Sequence, residues 1–323
     1  MSKKINFGAT GYDTHVDVPL SNVALNYRPD GMVADMVAPI VPVTKQSNRI
    51  ATFDRGEIYR VEDDKRSPGK EANIIERSVS SLTYFADNYA LKSQVTIEDR
   101  ENADPIYAQE LYNDGARYVT GKLMLGWENR LATLVGNTSN VGSSSAVSSA
   151  WSDYTNSDPL TDMLTGIDNV YDSNGMRPNR ILFGEKAWRW ARRNTTIRNL
   201  IFGTNNGGGY ASISNLADLL EVESINVSRT YKNTANESQA ESLSQVLDDK
   251  VLVYYAPTTP SRDTPSFMYS FRWSLPGIPN MQAERHAFDT KTKAEEVEVG
   301  YYQDEKIVGA SYGFLITAVG SST

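Results

Sequence analysis

The sequence predicts an α+β fold, and three stretches of it carry that prediction. In residues 294–319, AEEVEVGYYQDEKIVGASYGFLITAV, the apolar Val297, Val299 and Tyr301 alternate with Glu296, Glu298 and Tyr302. Further on, Tyr312, Phe314 and Ile316 alternate with Gly313, Leu315 and Thr317. Period-two alternation marks half-buried strands, so this stretch reads as a strand pair joined by a polar turn at 303–306. Residues 104–136 instead repeat apolar positions at threes and fours, through Tyr112, Ala116, Val119, Leu123, Trp127, Leu131 and Leu134. That is the period of a helix with one buried stripe. Residues 47–98 read as a long hairpin with a charged tip. Strands and a long helix in separate stretches make the class α+β.

Residues 1–46 look extended. Pro19, Pro29, Pro39 and Pro42 fall too close together for a long helix, because proline removes a backbone donor and restricts its predecessor. Apolar residues there show no helical period. This arm is expected to bury little of itself and to lie on another surface, its own chain's or a neighbour's.

In the hairpin, the outgoing limb spans 48–62, with Ala51 and Phe53 and then Tyr59 and Val61 at period two. The tip DDKRSPGK, residues 63–70, turns at Pro68-Gly69. The return limb runs from Ile74 and Ile75 through Val79 and Leu82. A further strand places Tyr89, Leu91, Ser93, Val95 and Ile97 on one face and Lys92, Gln94, Thr96 and Glu98 on the other. An isolated two-stranded hairpin is marginal in water, so this arm needs a surface to lie on, and a neighbouring subunit is the natural one.

The long helix opens on Asp104 as N-cap, Pro105 as first helical residue and Glu110 in its first two turns. It would be about 50 Å long. Gly115, Gly121 and Gly126 each cost about 1 kcal/mol against Ala, which predicts bending or close packing against a sheet. A polar low-complexity segment, 137–157, then separates the helix from a mixed α/β unit. There Asp158-Pro159 repeats the capping signature for a helix to about Tyr171, and Asn174-Gly175 is a turn. Strands are expected at 180–183, 224–229, 250–255 and 267–273, with helices at 185–193 and ending at 216–220. GTNNGGGY, residues 203–210, reads as a flexible loop. No internal repeat is present.

Composition narrows the function. A formal charge of −8 and the absence of a Lys/Arg stripe argue against a dedicated nucleic-acid binder. The nearest basic cluster, Arg189, Arg192 and Arg193, reads as the exposed side of a short helix whose Trp188 and Ala191 face inward. With no cysteine there are no disulfides, thiolate chemistry or Cys-based metal sites, which fits assembly in a reducing cytoplasm. No signal peptide or membrane-length apolar run is visible, so a soluble intracellular product without membrane contact is expected. The 18 Tyr against 9 Phe suit surfaces that are wet in one state and buried in another.

Catalytic readings fare poorly. The two histidines, His15 and His286, lie far apart, and neither has a nucleophile-elbow sequence around it. Glu295, Glu296 and Glu298 could suggest a metal or glycosidase site, but alternation puts Glu296 and Glu298 on a solvated strand face. GTNNGGGY lacks the GK[ST] ending of a phosphate cradle. No catalytic residue, cofactor or metal is expected, and the chain does not read as an enzyme. The residues singled out are instead those of the hairpin tip: Asp63, Asp64, Lys65, Arg66, Lys70 and Glu71. They read as intersubunit contacts. Lys65 and Lys70 could also serve covalent cross-linking, though the simpler reading leaves them solvated or paired with acids.

In order, then, come a proline-punctuated arm, a charged-tip hairpin, a capped long helix, a mixed α/β unit with Gly-rich loops, and closing strands. That order resembles the Hong Kong 97-type major capsid protein of tailed bacteriophages over nearly the whole chain. The carriers are VAPIVPV at 37–43, KRSPGKEA at 65–72, the helix from Asp104, PNRILFG at 178–184 and VEVGYYQDEKIVGASYGFLIT at 297–317. The resemblance implies an N-terminal arm at 1–46 and an extended loop at 47–98. It further implies a peripheral domain at 99–160 and 282–308 with spine helix 104–136, and an axial domain at 161–281 and 309–323. It implies self-assembly into hexamers and pentamers of an icosahedral head shell that encloses double-stranded DNA without sequence-specific binding, located in the virion and made in the bacterial host cytoplasm. Portal and a separate scaffolding protein are implied partners, the latter because no acidic helical segment precedes the arm, and a decoration protein is compatible with it. An encapsulin-type nanocompartment shell shares the fold and is the alternative. A carbohydrate-binding or tail protein would explain the tyrosines and strands but not the long amphipathic helix beside a charged hairpin.

Overall fold

The structure, a computed structural model, describes residues 17–53, 59–75, 79–104, 107–203, 209–261, 264–274 and 281–320. His15, Pro105 and residues 204–208 of the Gly-rich loop lie outside the described residues. In chain order the helices are Val18–Asn26 (α1), Ala34–Val37 (α2), Ile97–Asn102 (α3), Ala108–Val135 (α4), Pro159–Asn174 (α5), Glu185–Ala191 (α6), Thr195–Phe202 (α7) and Ile213–Leu220 (α8). The strands up to the long helix are Ile40–Val43 (β1), Ser47–Phe53 (β2), Val79–Phe85 (β3) and Asp87–Thr96 (β4). Then come Ser143–Ala146 (β5), Arg180–Gly184 (β6), Ser224–Ser228 (β7), Tyr231–Asn233 (β8), Leu243–Gln245 (β9) and Val251–Tyr254 (β10). Met268–Trp273 (β11), Gln282–Asp289 (β12), Ala294–Ile307 (β13) and Gly313–Thr317 (β14) follow.

The chain divides into two compact units. One comprises Met1–Arg28, Asn88–Leu123 and Ser274–Tyr302. Here β12 runs antiparallel to β13, with Ala283 opposite Val299 and Arg285 opposite Val297, and β13 also pairs with β4. The first half of α4 buries Tyr112, Ala116, Val119 and Leu123. Gly115 faces β4, where an added Cβ would stand 3.4 Å from Ser93 Oγ, so the close packing expected at that glycine is present. Helix α1 corrects the reading of the arm as extended. Asp17 caps it by accepting from Leu20 N at 3.1 Å, and Pro19 sits in the first turn, where a missing donor costs nothing. Leu20 and Ala24 are fully buried. The Ser21 hydroxyl accepts from Ala283 N at 3.0 Å, which ties α1 to β12.

The other unit comprises Pro29–Asp87, Met124–Trp273 and Gln303–Thr323. Its main sheet has the order β5-β14-β10-β6-β7. Alternation along these strands serves two cores. Ile181, Phe183, Val251, Val253, Phe314 and Ile316 pack with α5, α6, α7 and α8 on one face. Leu182, Leu252 and Leu315 pack with Trp127, Leu131 and Val135 of α4 on the other. Trp188 and Ala191 are buried as the sequence requires. Asp158 caps α5 by accepting from Thr161 N, and Gly175 ends it in the left-handed conformation at φ 68°. In the same unit β1 lies parallel to β11, and Val41 and Val43 pack with Ile50, Tyr84, Tyr269 and Phe271. Residues 33–43 are therefore core, not an arm that buries little of itself.

Five further expectations are corrected. Residues 303–306 are not a turn: β13 runs unbroken through them, because Gln303 and Glu305 continue the inward face of Val297, Val299 and Tyr301 and are met there by Arg272 and Arg130. Nor do the last two strands pair. β14 lies between β10 and β5. Segment 137–157 is no bare linker, since it supplies the edge strand β5 and the fully buried Trp151, whose indole N–H donates to Asp162 at 2.7 Å. The strand after the hairpin stops at Thr96, whose hydroxyl accepts from Asp99 N at 3.1 Å and so starts α3 at Ile97. The long helix begins at Ala108, three residues later than its Asp-Pro signature suggested, with Tyr107 N donating to the Asp104 carbonyl in a preceding turn.

Candidate assembly surfaces

The hairpin ladder is shorter than the period-two pattern implied. β2 and β3 pair antiparallel from Ser47 opposite Phe85 to Phe53 opposite Val79, with Ile50 opposite Leu82. Among the described residues 59–75 there is no strand. Tyr59, Val61, Ile74 and Ile75 therefore do not form ladder limbs. A lone two-stranded ribbon gains too little to order a further dozen residues on each side, and the backbone is left in a loop.

All six residues singled out at the tip, Asp63, Asp64, Lys65, Arg66, Lys70 and Glu71, are exposed. Pro68-Gly69 makes the expected turn: Lys70 N donates to the Ser67 carbonyl at 3.1 Å, and Gly69 takes φ 78°, the left-handed region that glycine tolerates. The tip is further knit by Arg66 Nε donating to the Lys70 carbonyl at 2.6 Å and by Lys65 N donating to Asp63 Oδ1 at 3.1 Å. Asn73 Nδ2 donates to the Asp63 carbonyl at 2.8 Å. The loop thus has a local shape of its own while its charged side chains remain in solvent.

Sequence reasoning passed over the apolar residues beside that tip. Val61 is 95% exposed, Ile74 88% and Ile75 70%, the most exposed large aliphatic side chains of the described residues. Covering a side chain of this size contributes about 1.5–3 kcal/mol. The available signal was the placement itself, β-branched apolar residues directly flanking a charged turn with no sequence partner to cover them.

The carboxylates of 295–298 are divided between two faces, as alternation requires. Glu296 and Glu298 both accept from Lys92 on β4, at 3.1 and 3.3 Å. Glu296 also accepts from Gln94 at 3.2 Å, and His286 Nε2 on β12 lies 2.9 Å from Glu298. Hydrogen bonds from Gln94 and Lys92 hold the Glu296 carboxyl below its usual range. On the opposite face, Glu295 accepts from the Tyr112 hydroxyl and from Arg100, both at 2.9 Å, and from Arg285. Burial works against the charged form of Glu295, but the hydrogen bonds of Arg285 and Tyr112 outweigh it and the pKa is lowered. These acids brace strands. Among the described residues no group of three or more His, Asp or Glu is placed to hold a metal ion, and no helix is long and apolar enough to cross a membrane.

Glu128 is almost completely buried inside the second unit. Glu128 of α4 accepts from Val33 N at 3.1 Å and Ala34 N at 2.8 Å through one oxygen, and from the Ser228 hydroxyl at 3.1 Å through the other. Burial pushes its pKa up, against the pull of those three donors. It caps the amino end of α2 from a distant helix, and so anchors the segment before β1.

No protein-family model matches the sequence. The chain is similar to the major capsid protein of Pseudomonas phage JBD67, with 28% identity over 228 residues that cover 71% of this chain and 73% of the relative. It is also similar to the major capsid protein of Burkholderia phage BcepMu, with 23% identity over 319 residues that cover 94% and 96% of the two chains. Among solved structures, a phage-related protein from Bordetella bronchiseptica superposes with a TM-score of 0.76 at 24% identity, covering 96% of this chain and 99% of that one. A chain of the capsid of cyanophage P-SCSP1u superposes at 0.55 with 11% identity, covering 88% and 87%. With capsid proteins as its sequence relatives and a capsid fold along most of its length, the chain is similar to major capsid proteins of the Hong Kong 97 type.

Proposed function

We propose that copies of this chain associate through the loop 59–75, laid on a neighbouring subunit, and build the closed icosahedral head shell of a tailed phage around double-stranded DNA. The observation that carries the loop's part is the nearly complete exposure of Val61, Ile74 and Ile75 around a charged turn. An apolar cluster rimmed by charge is what a docking surface presents. The apolar residues supply burial, and Asp63, Asp64, Lys65, Arg66, Lys70 and Glu71 set register and encounter rate. On this reading residues 1–46 are the arm, with 33–43 packed into the core of its own chain, and 47–98 the extended loop. Residues 99–160 with 282–308 are the peripheral domain, and 161–281 with 309–323 the axial domain. The formal charge of −8 supports a wall that confines DNA without gripping it, so that the genome can be spooled in and ejected. Hexamers and pentamers of the chain, a portal and a scaffolding protein complete the assembly in the host cytoplasm. The role is structural rather than enzymatic.

The test is electron microscopy and sedimentation of the purified protein beside a Val61→Ser/Ile74→Ser/Ile75→Ser variant. The parent is expected to form closed shells, and the variant to stay unassembled while melting as the unassembled parent does. A variant that assembles as well as the parent removes the loop from the interface. Particle contents separate the genome shell from an encapsulin-type compartment: DNA supports the first, a packaged protein cargo the second.

A further inference from the structure

Two exposed patches of opposite charge lie on the second unit, outside the loop itself. Helices α6 and α7 with the turn between them gather Arg189, Arg192, Arg193 and Arg198. The guanidinium carbons of Arg192, Arg193 and Arg198 stand 5.4, 5.7 and 5.7 Å from the centre of the Tyr210 ring, which is itself 56% exposed. Among the described residues Arg189, Arg192 and Arg193 meet no carboxylate, and Arg192 Nε is buried without a hydrogen-bond partner. Like charges crowded on one ring repel until carboxylates arrive from elsewhere.

The complementary patch is on α5. Asp168 and Asp172, one turn apart, point outward with Tyr171, which is 53% exposed. Acids at this spacing repel along a helix, and among the described residues neither carries a cation. The two patches therefore do not neutralise each other within one chain.

We propose that they are two halves of one contact between copies: Asp168, Tyr171 and Asp172 of one subunit seat against the arginine cluster and Tyr210 of the next. Guanidinium–carboxylate pairs supply directed, charge-assisted hydrogen bonds, and arginine planes stack on tyrosine faces. Because the halves differ, the contact is heterologous, the kind that closes into rings when the rotation between copies permits. The inference rests on the shell reading and gives its rings a specific seam.

The test uses the full chain in two reversed forms, Arg189→Glu/Arg193→Glu and Asp168→Lys/Asp172→Lys, all at exposed positions. Each form alone is expected to assemble about tenfold more slowly than the parent at moderate salt, and a chain carrying all four substitutions to recover, since its reversed patches meet opposite charge in rings of five or six. Parent shells with either form assembling at the parental rate, or with an inert but folded four-substitution chain, overturn this contact alone. A parent that never assembles overturns the shell reading and the contact with it. If a reversed form melts below the parent, Arg193→Gln/Asp172→Asn replaces it: loss of the parent's salt-dependent assembly rate supports the contact, and its retention overturns it.

Discussion

Arg272 and Gln303 face each other in the interior of the second unit, with Arg272 Nε donating to Gln303 Oε1 at 2.9 Å. Gln303 passes the connection on, its amide donating to Glu305 at 2.8 Å, and Arg130 closes the far end on Glu305 at 2.9 Å. The Arg272 guanidinium also stands 5.3 Å from the Trp127 ring centre. Such a chain is stable only when every member is satisfied. Arg272→Met leaves the buried Gln303 Oε1 without its donor and is expected to destabilise the unassembled subunit by about 2–4 kcal/mol. Denaturant unfolding measures this, and a loss below 1 kcal/mol would show that the network contributes only shape.

Glu128 separates charge from geometry. Its folded pKa is raised, so the folded state holds this proton more tightly than the unfolded chain does. Its contribution is thus most favourable below the unfolded value and declines as pH rises toward the folded one. Glu128→Gln can still accept from Val33 N and Ala34 N and needs no desolvated charge. At pH 7 it is expected to be at least as stable as the parent, with a shallower loss of stability above pH 5. Glu128→Ala orphans two buried N–H groups and is expected to cost about 2–4 kcal/mol. Thermal melts across pH distinguish these outcomes.

Reversal of Lys65, Arg66 and Lys70 together is expected to impair assembly and leave the unassembled subunit folded, while each single reversal has a modest effect. Exposed charges mainly govern encounter rate and partner choice. Light-scattering kinetics with a parallel melt reads both properties. Parental kinetics for the triple variant would remove these charges from the interface.

The shell is expected to hold without covalent links, since there is no cysteine and stability can come from many contacts broken together when a subunit leaves. Boiled particles should run on a denaturing gel as one band near 35.8 kDa. A ladder that collapses on Lys65→Arg/Lys70→Arg would establish cross-linking at the tip instead.

Legibility followed chemistry. The stripe from Tyr112 to Leu131 could be read because its members are apolar and recur at the helical period. Asp158-Pro159 and Asn174-Gly175 could be read because capping is local. What escaped depended on distant partners. Gln303 and Glu305 look like a turn until Arg272 and Arg130 arrive, and the serines of 143–145 look like linker until β14 pairs with them. Pro19 looks like a breaker unless Asp17 is seen to cap the helix it starts. At the tip, Pro68-Gly69 revealed the turn, but period two in Tyr59, Val61, Ile74 and Ile75 suggested strands where the described residues hold only exposed loop. Their pattern belongs to exposed loop rather than to a ladder.

β14 sits second from the edge of its sheet, between strands that start at Ser143 and Val251, although among the described residues it is the last strand in chain order. Until residue 317 has left the ribosome, β10 has one side unpaired, and β5 has no neighbour at all. Pairings this far apart in sequence form slowly. A nascent or prematurely terminated chain therefore lacks a finished sheet and the helical layer that rests on it.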